Sequence, residues 1–281
     1  MDPRKSVLLI ETGIGCSFYS WYPFVDKIKA DFTVILYHRA GYGNSTATTK
    51  ARTTEYISEE LNSLVEYLGI TEPFLLMGHS YGGLCAQHFV KKYPEKIKGL
   101  ILLDSTSYNF RELYHLNLPV MNSLISLEKM IESNVMASQR SSKGLREEFK
   151  GMIEKNKEDL SEHEGKKFEE FITDPTLFQT IANDFGHWDE SGRMIKEMGA
   201  FPDIPLVVIA RDKEESIKPF IEHKIPEEEA IMYEDVWRKL QVELSRLSTK
   251  GVLIVAEKSD HEIHIDRPDV IIQGLKTLGD A

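Results

Sequence analysis

Residues 73–93 read PFLLMGHSYGGLCAQHFVKKY. The apolar run PFLLM stops at Gly78-His79-Ser80-Tyr81-Gly82, and a segment with apolar residues at helical intervals begins at once. This pattern predicts a strand that turns sharply into a helix, with a serine at the turn. A serine there sits in a strained conformation, and the flanking positions need glycine because a Cβ would strike the adjacent strand or helix. The hydroxyl then points out of the sheet at a helix N-terminus, where partial positive charge favours an oxyanion. The plain alternative is a helix N-cap serine in a tight turn.

Outward from this turn, short apolar runs bounded by Gly, Asp or Pro recur at 6–10, 33–37, 73–77, 99–103, 206–210 and 252–256. They read as buried parallel strands. Helical patterns at 21–30, 53–68, 81–93, 234–248 and 268–278 lie between or after them. Such alternation predicts an α/β chain with a mostly parallel sheet and helices on both faces. The rhythm breaks once, between the fourth and fifth strands, where 107–200 is rich in Lys and Glu with apolar residues at helical spacing, such as Leu124, Leu127, Ile131 and Val135. We read 107–200 as four or five helices forming a cap inserted into a core built from 1–106 and 201–281. For the highly charged stretch 140–167 the alternative is a disordered linker.

Composition limits what such a chain can do. Across 281 residues, 34 Lys and Arg face 45 Asp and Glu, a net charge of −11. The basic footprint of a nucleic-acid-binding surface is missing, so no nucleic-acid partner is expected. Cys16 and Cys85 lie far apart and match no metal spacing, which predicts neither a disulfide scaffold nor a zinc site and fits a reducing, cytoplasmic compartment. The first apolar run, 7–10, is too short for the core of a signal peptide, and no stretch approaches the roughly 18 apolar residues of a membrane span.

A serine is a poor nucleophile until an imidazole within reach takes its proton. The last strand leads through Glu257-Lys258-Ser259-Asp260 to His261, on a loop at the carboxyl edge of the sheet, which is where such a base belongs. His264, three residues on, is the alternative base. A metal reading of the H-x-x-H pair lacks further ligands, so no metal and no cofactor are expected. After the first strand, Thr12-Gly13-Ile14-Gly15 forms a glycine-rich turn that can bring the Ile14 backbone N–H toward an attacked carbonyl, alongside the N–H of Tyr81. Arg39, with the glycines of the HRAGYGNS segment, is read as fixing the shape of the loop after the second strand.

The segments ETGIG, YHRAGYGNS, LLMGHSYGGL, GLILLDST and SDHEIHIDRPDVI resemble the α/β-hydrolase superfamily, and within it the small serine hydrolases. The resemblance covers roughly 6–106 and 202–278. It implies hydrolysis of an ester or related acyl bond of a small-molecule substrate through an acyl-enzyme on Ser80. Two positions depart from the superfamily pattern: Thr12 stands where many members carry a His, and Asp260 where Gly commonly precedes the catalytic His. The chain also begins at what would be the superfamily's third strand, which would leave 33–37 as a bare sheet edge and a contact for a homodimer.

Two carboxylates compete for the triad acid. In the commoner arrangement the acid follows the fifth strand seen here, which offers Asp212 with Glu214 and Glu215 behind it. The other is Asp104, at the carboxyl end of the fourth strand, one strand from the nucleophile and on the edge where the His261 loop should land; some superfamily members take their acid there. Asp104 is the expected acid and Asp212 the alternative. The function expected is that of a cofactor-free serine hydrolase, a carboxylesterase for small to medium apolar acyl groups. The alternatives are a hydrolase of carbon–carbon bonds or amides with the same triad, and a non-catalytic ligand-binding protein on the same fold. A serine at position 80 disfavours dehalogenase and epoxide hydrolase chemistry, which needs Asp as the nucleophile.

Overall fold

Every strand of the sheet alternates its apolar side chains between two hydrophobic layers. Leu8 and Ile10, Leu75 and Met77, Ile101 and Leu103, and Val207 and Ile209 face one layer, while Leu9, Leu76, Leu100, Leu102 and Val208 face the other. A strand buried on both faces must be apolar throughout, and that is why these runs lack the polar alternation of a one-sided sheet. In the computed structural model, which describes residues 5–158 and 160–279, the strands are β1 (Ser6–Glu11), β2 (Phe32–Leu36), β3 (Phe74–His79), β4 (Ile97–Leu103), β5 (Leu206–Arg211) and β6 (Gly251–Ala256). They form one six-stranded sheet in the order β2-β1-β3-β4-β5-β6, with every pair parallel.

Two helices, α1 (Tyr22–Ile28) and α15 (Pro268–Gly279), bring Phe24, Ile28, Ile271, Leu275 and Leu278 to the first layer. The opposite face is covered by α2 (Thr54–Tyr67), α3 (Tyr81–Lys92) and α13 (Glu227–Ser245), through Leu61, Val65, Phe89, Val90 and Leu244. Among the described residues between β4 and β5 lie eight helices: α4 (Arg111–Tyr114), α5 (Pro119–Leu124), α6 (Leu127–Ser138), α7 (Ser142–Glu148), α8 (Lys150–Lys157), α9 (Glu162–Ile172), α10 (Pro175–Gly186) and α11 (Trp188–Glu197). Apolar spacing alone predicts four or five there. Side-chain caps divide the chain more finely than apolar spacing reveals, since Ser126, Ser141, Ser161 and Asp174 each accept a backbone N–H and open a new helix. The charged stretch 140–167 is mostly helical rather than a linker.

A further helix, α12 (Lys213–Glu222), follows β5 where the sequence reading sees only a charged loop. Asp212 caps it and Pro219 interrupts its interior, which disguises the pattern. The short α14 (Ile263–Asp266) completes the set. Among the described residues no helix is long and apolar enough to cross a membrane.

Buried polar contacts tie the helical insertion to the sheet domain. Asp184 of α10 accepts from Tyr42 Oη at 2.6 Å and from Arg52 Nε at 3.0 Å, and Arg52 also pairs with Glu60 at 2.9 Å. Thr54 N donates to Ser191 Oγ on α11 at 3.0 Å.

Candidate active site

Ser80 lies between the last residue of β3 and the first of α3, at φ 54° and ψ −124°. That region is sparsely populated for any residue with a Cβ, and the surroundings force it. A Cβ on Gly82 would lie 2.2 Å from the Glu11 carbonyl oxygen, and one on Gly78 would lie 2.6 Å from the Gly82 oxygen, so the turn closes only with glycine on either side. Backbone bonds fix the turn to its neighbour: Ser80 N donates to Leu103 O at 3.1 Å, and Thr106 N donates to Ser80 O at 3.0 Å. The Ser80 side chain makes no cap bond to α3, which removes the N-cap explanation of this serine.

Asp104 follows β4 at φ 38° and is wholly buried. Its Oδ2 accepts from His261 Nδ1 at 2.5 Å and from Arg211 Nη1 at 3.1 Å; its Oδ1 accepts from Trp237 Nε1 at 2.8 Å and Arg211 N at 3.3 Å. Burial alone would raise its pKa, but the Arg211 charge, with His261 and Trp237 as donors, holds the carboxyl well below the usual carboxylate range. For His261 burial works against the charged imidazolium, yet the bond to Asp104 outweighs it and the pKa is raised. With Nδ1 bonded to a carboxylate, Nε2 is the nitrogen left to accept a proton. The side chain is 31% exposed, so it is reachable from the cleft.

The loop that carries His261 is held from several sides. Its carbonyl meets His79 Nε2 at 3.0 Å, directly beside the serine turn. Asp212 N donates to Ser259 O at 2.8 Å, and Ser216 Oγ donates to Asp260 Oδ1 at 2.8 Å. Asp260, which departs from the superfamily's usual glycine, thus serves as an anchor. Ser80 Oγ and His261 Nε2 are not hydrogen-bonded to each other in this structure.

The alternative acid has another task. Asp212 accepts from Glu214 N at 2.9 Å and Lys258 N at 2.8 Å, so it caps α12 and pins the start of the His261 loop without touching the imidazole. Glu215 pairs outward with Lys218. His264, the alternative base, is buried and stacked on Trp21 at 3.9 Å, and burial pushes its pKa down to about 3.

At the other end of the site the turn 12–15 presses on the serine: a Cβ on Gly13 would lie 3.4 Å from Ser80 Cβ. Arg39 shapes this turn. Its Nη1 donates to Thr12 O at 2.8 Å, its Nη2 to Gly13 O at 2.9 Å, and Glu11 balances its charge at 3.0 Å. With those carbonyls drawn to Arg39, the Ile14 N–H is left without a partner among the described residues. Tyr81 N–H belongs to the first turn of α3, where backbone donors have no intrahelical acceptor. Arg39 thus holds this turn from outside, next to Thr12, which stands where many superfamily members carry a His.

Trp188 of α11 packs with Ile14 and Tyr81, its ring 5.7 Å from that of Tyr81 and 5.0 Å from that of Phe185. A cleft of about 1140 Å³ runs past His261, bounded by Glu262 and Ile265 on one side and Met152, Lys155 and Leu160 on the other. His79, His261 and Glu262 each place one potential metal-ligand atom within 4.8 Å of the others. Of these residues, His261 is engaged by Asp104 through Nδ1, and His79 Nε2 meets the His261 carbonyl.

Arg211, Glu234 and Trp237 escape the sequence reading. Arg211 adjoins Asp212, but only the packing of α13 against β5 shows that Glu234 accepts from Arg211 and that Trp237 donates to Asp104.

A parallel sheet whose strands deliver a serine, an aspartate and a histidine to one carboxyl edge is the framework of α/β-fold hydrolases. The alpha/beta hydrolase fold family model matches residues 6–150, and the chain belongs to that family. An AB hydrolase superfamily protein of Gibberella zeae is 22% identical over 98% of this chain and 87% of its own length. The (lyso)-N-acylphosphatidylethanolamine lipase of Mus musculus is 31% identical over 38% of this chain, a match covering 32% of the mouse protein. Among solved structures, a thermophilic esterase from Thermogutta terrifontis superposes with a TM-score of 0.61 at 18% identity, over 97% of this chain and 88% of that one. The protein is thus a hydrolase of α/β fold with esterase-like and lipase-like neighbours.

Proposed function

We propose that this hydrolase cleaves carboxylic esters of small to medium apolar acyl groups through an acyl-enzyme on Ser80, with His261 as base and Asp104 as the triad acid. The observation that carries the reading is the 2.5 Å bond from His261 Nδ1 to the buried Asp104 carboxylate, on a loop that also touches the residue before Ser80. Substrate binding brings the Ser80 hydroxyl to His261 Nε2, a contact that commonly tightens only in the complex. Ser80 Oγ attacks the carbonyl carbon as its proton passes to Nε2, and Asp104 stabilises the imidazolium and fixes its tautomer. The carbonyl oxygen, now an oxyanion, is received by the N–H groups of Ile14 and Tyr81. Collapse expels the alcohol, which takes the proton from Nε2; water then repeats the sequence on the acyl-enzyme and regenerates Ser80.

The helical insertion acts as a cap in this reading, with Trp188 and Phe185 as apolar wall above the oxyanion donors. Labelling by a fluorophosphonate probe and turnover of p-nitrophenyl esters of increasing chain length test the proposal. Ser80→Ala is expected to fold normally and to lose both labelling and turnover, with His261→Ala similarly impaired. Turnover within a few-fold of the parent in either variant would refute the assignment.

A further inference from the structure

The carboxylate that holds His261 is itself held by a guanidinium. Asp104 Oδ2, the oxygen bonded to His261 Nδ1, also accepts from Arg211 Nη1, and that Nη1 lies 3.4 Å from His261 Nδ1. Arg211 turns its remaining nitrogens to Glu234 of α13, Nε at 3.2 Å and Nη2 at 2.5 Å from the two carboxylate oxygens. Its guanidinium lies 4.5 Å over the ring of Trp237, whose Nε1 occupies the other Asp104 oxygen. All four side chains are buried.

A triad acid needs none of this to orient a histidine, and the arrangement has an electrostatic cost. A cation so near the imidazole opposes the imidazolium that must form during each acyl transfer. Glu234 offsets it, leaving the group of Asp104, Arg211 and Glu234 with one net negative charge beside His261. In a buried site such balance is felt strongly, because little solvent screens it.

We infer that Arg211 and Glu234 are positioning residues that set how firmly His261 holds its proton, Arg211 by sharing the Asp104 oxygen and Glu234 by neutralising Arg211. The inference rests on the reading of His261 as base and Asp104 as acid. Other charged or titratable groups also face His261. On its own loop they are Asp260 and Glu262, and from β3 comes His79. His264 of α14 and Asp212 at the start of α12 are close by, and Tyr233 of α13 flanks Arg211. Lys27 of α1 and Lys155 of α8 line the same cleft. None of these changes in the test.

In protein with isotope-labelled histidines, the His261 titration is followed by NMR while the acid limb of kcat/KM for p-nitrophenyl acetate is measured in parallel. Glu234→Gln leaves the Arg211 charge uncompensated and is expected to lower both by about one pH unit. Arg211→Gln leaves two carboxylates facing each other and is expected to raise both by a similar amount. The double variant keeps one net negative charge and should return close to the parent. A purely structural role would not move the two single variants in opposite directions. Shifts of the same sign, or an unmoved titration in Glu234→Gln, overturn the inference, and Glu234→Gln with the double variant decides it should Arg211→Gln fail to fold. The NMR titration tests the charge balance whether or not the ester is turned over, whereas turnover surviving in Ser80→Ala would overturn the catalytic reading alone.

Discussion

Ser80 and Asp104 both sit at positive φ, and for side-chain-bearing residues each such conformation costs about 1–3 kcal/mol. The surrounding backbone bonds, Ser80 N to Leu103 O and Asp104 N to Ile209 O, hold the cost in place and keep both residues at one edge of the sheet. The two aspartates separate cleanly by partner. Asp104 meets the imidazole, whereas Asp212 meets the N–H groups of Glu214 and Lys258. Asp104→Asn is therefore expected to lower turnover of an activated ester by on the order of 10³- to 10⁴-fold, as seen for triad acids elsewhere. Asp212→Asn should instead lower thermal stability and cost turnover far less. Parallel kinetics on the two variants decide the matter, and a large loss confined to Asp212→Asn would assign the acid to the wrong strand.

At the scale of elements, the turn after β1 illustrates how a loop is held rigid without secondary structure. Arg39, from the loop after β2, reaches across to two consecutive carbonyls and to Glu11, and its planar fork matches that geometry. Lysine keeps the charge but, as a flexible point charge, lacks the planar fork that fixes two carbonyls and Glu11 in one geometry. On the proposed mechanism Arg39→Lys is expected to lower kcat by about tenfold to 10²-fold with KM little changed, because the Ile14 N–H would drift from the oxyanion it is proposed to receive. Steady-state kinetics on one ester reads the split; a rise in KM at unchanged kcat would move Arg39 out of the oxyanion turn's support.

For the whole molecule, the helical insertion is fastened to the sheet domain through buried Asp184, Tyr42 and Arg52, with Thr54 and Ser191 beside them. Those contacts set where Trp188 and Phe185 stand relative to Ile14 and Tyr81. Replacing both aromatics by Ala should shift the preferred chain length across a p-nitrophenyl ester series by a few-fold or more while leaving fluorophosphonate labelling intact. An unchanged preference would show that selectivity is set elsewhere.

The parallel sheet was legible in the sequence, since runs such as 7–10, 74–77 and 206–210 are apolar without alternation, and a chain must bury both faces of such strands. The sequence also determined the serine turn, because Gly78 and Gly82 answer to contacts a few residues away or across one strand pair. The helix boundaries of the insertion were only partly legible, and α12 was hidden by Pro219, because caps and tertiary packing override apolar spacing there. Strand order narrowed the partner of His261 to two aspartates and favoured Asp104, but the contact itself was not legible. The choice depends on how α13 lies on β5, bringing Glu234 and Trp237 to Arg211 and Asp104. A hydrogen bond 2.5 Å long between residues 157 apart in sequence is decided by packing, which no local pattern encodes.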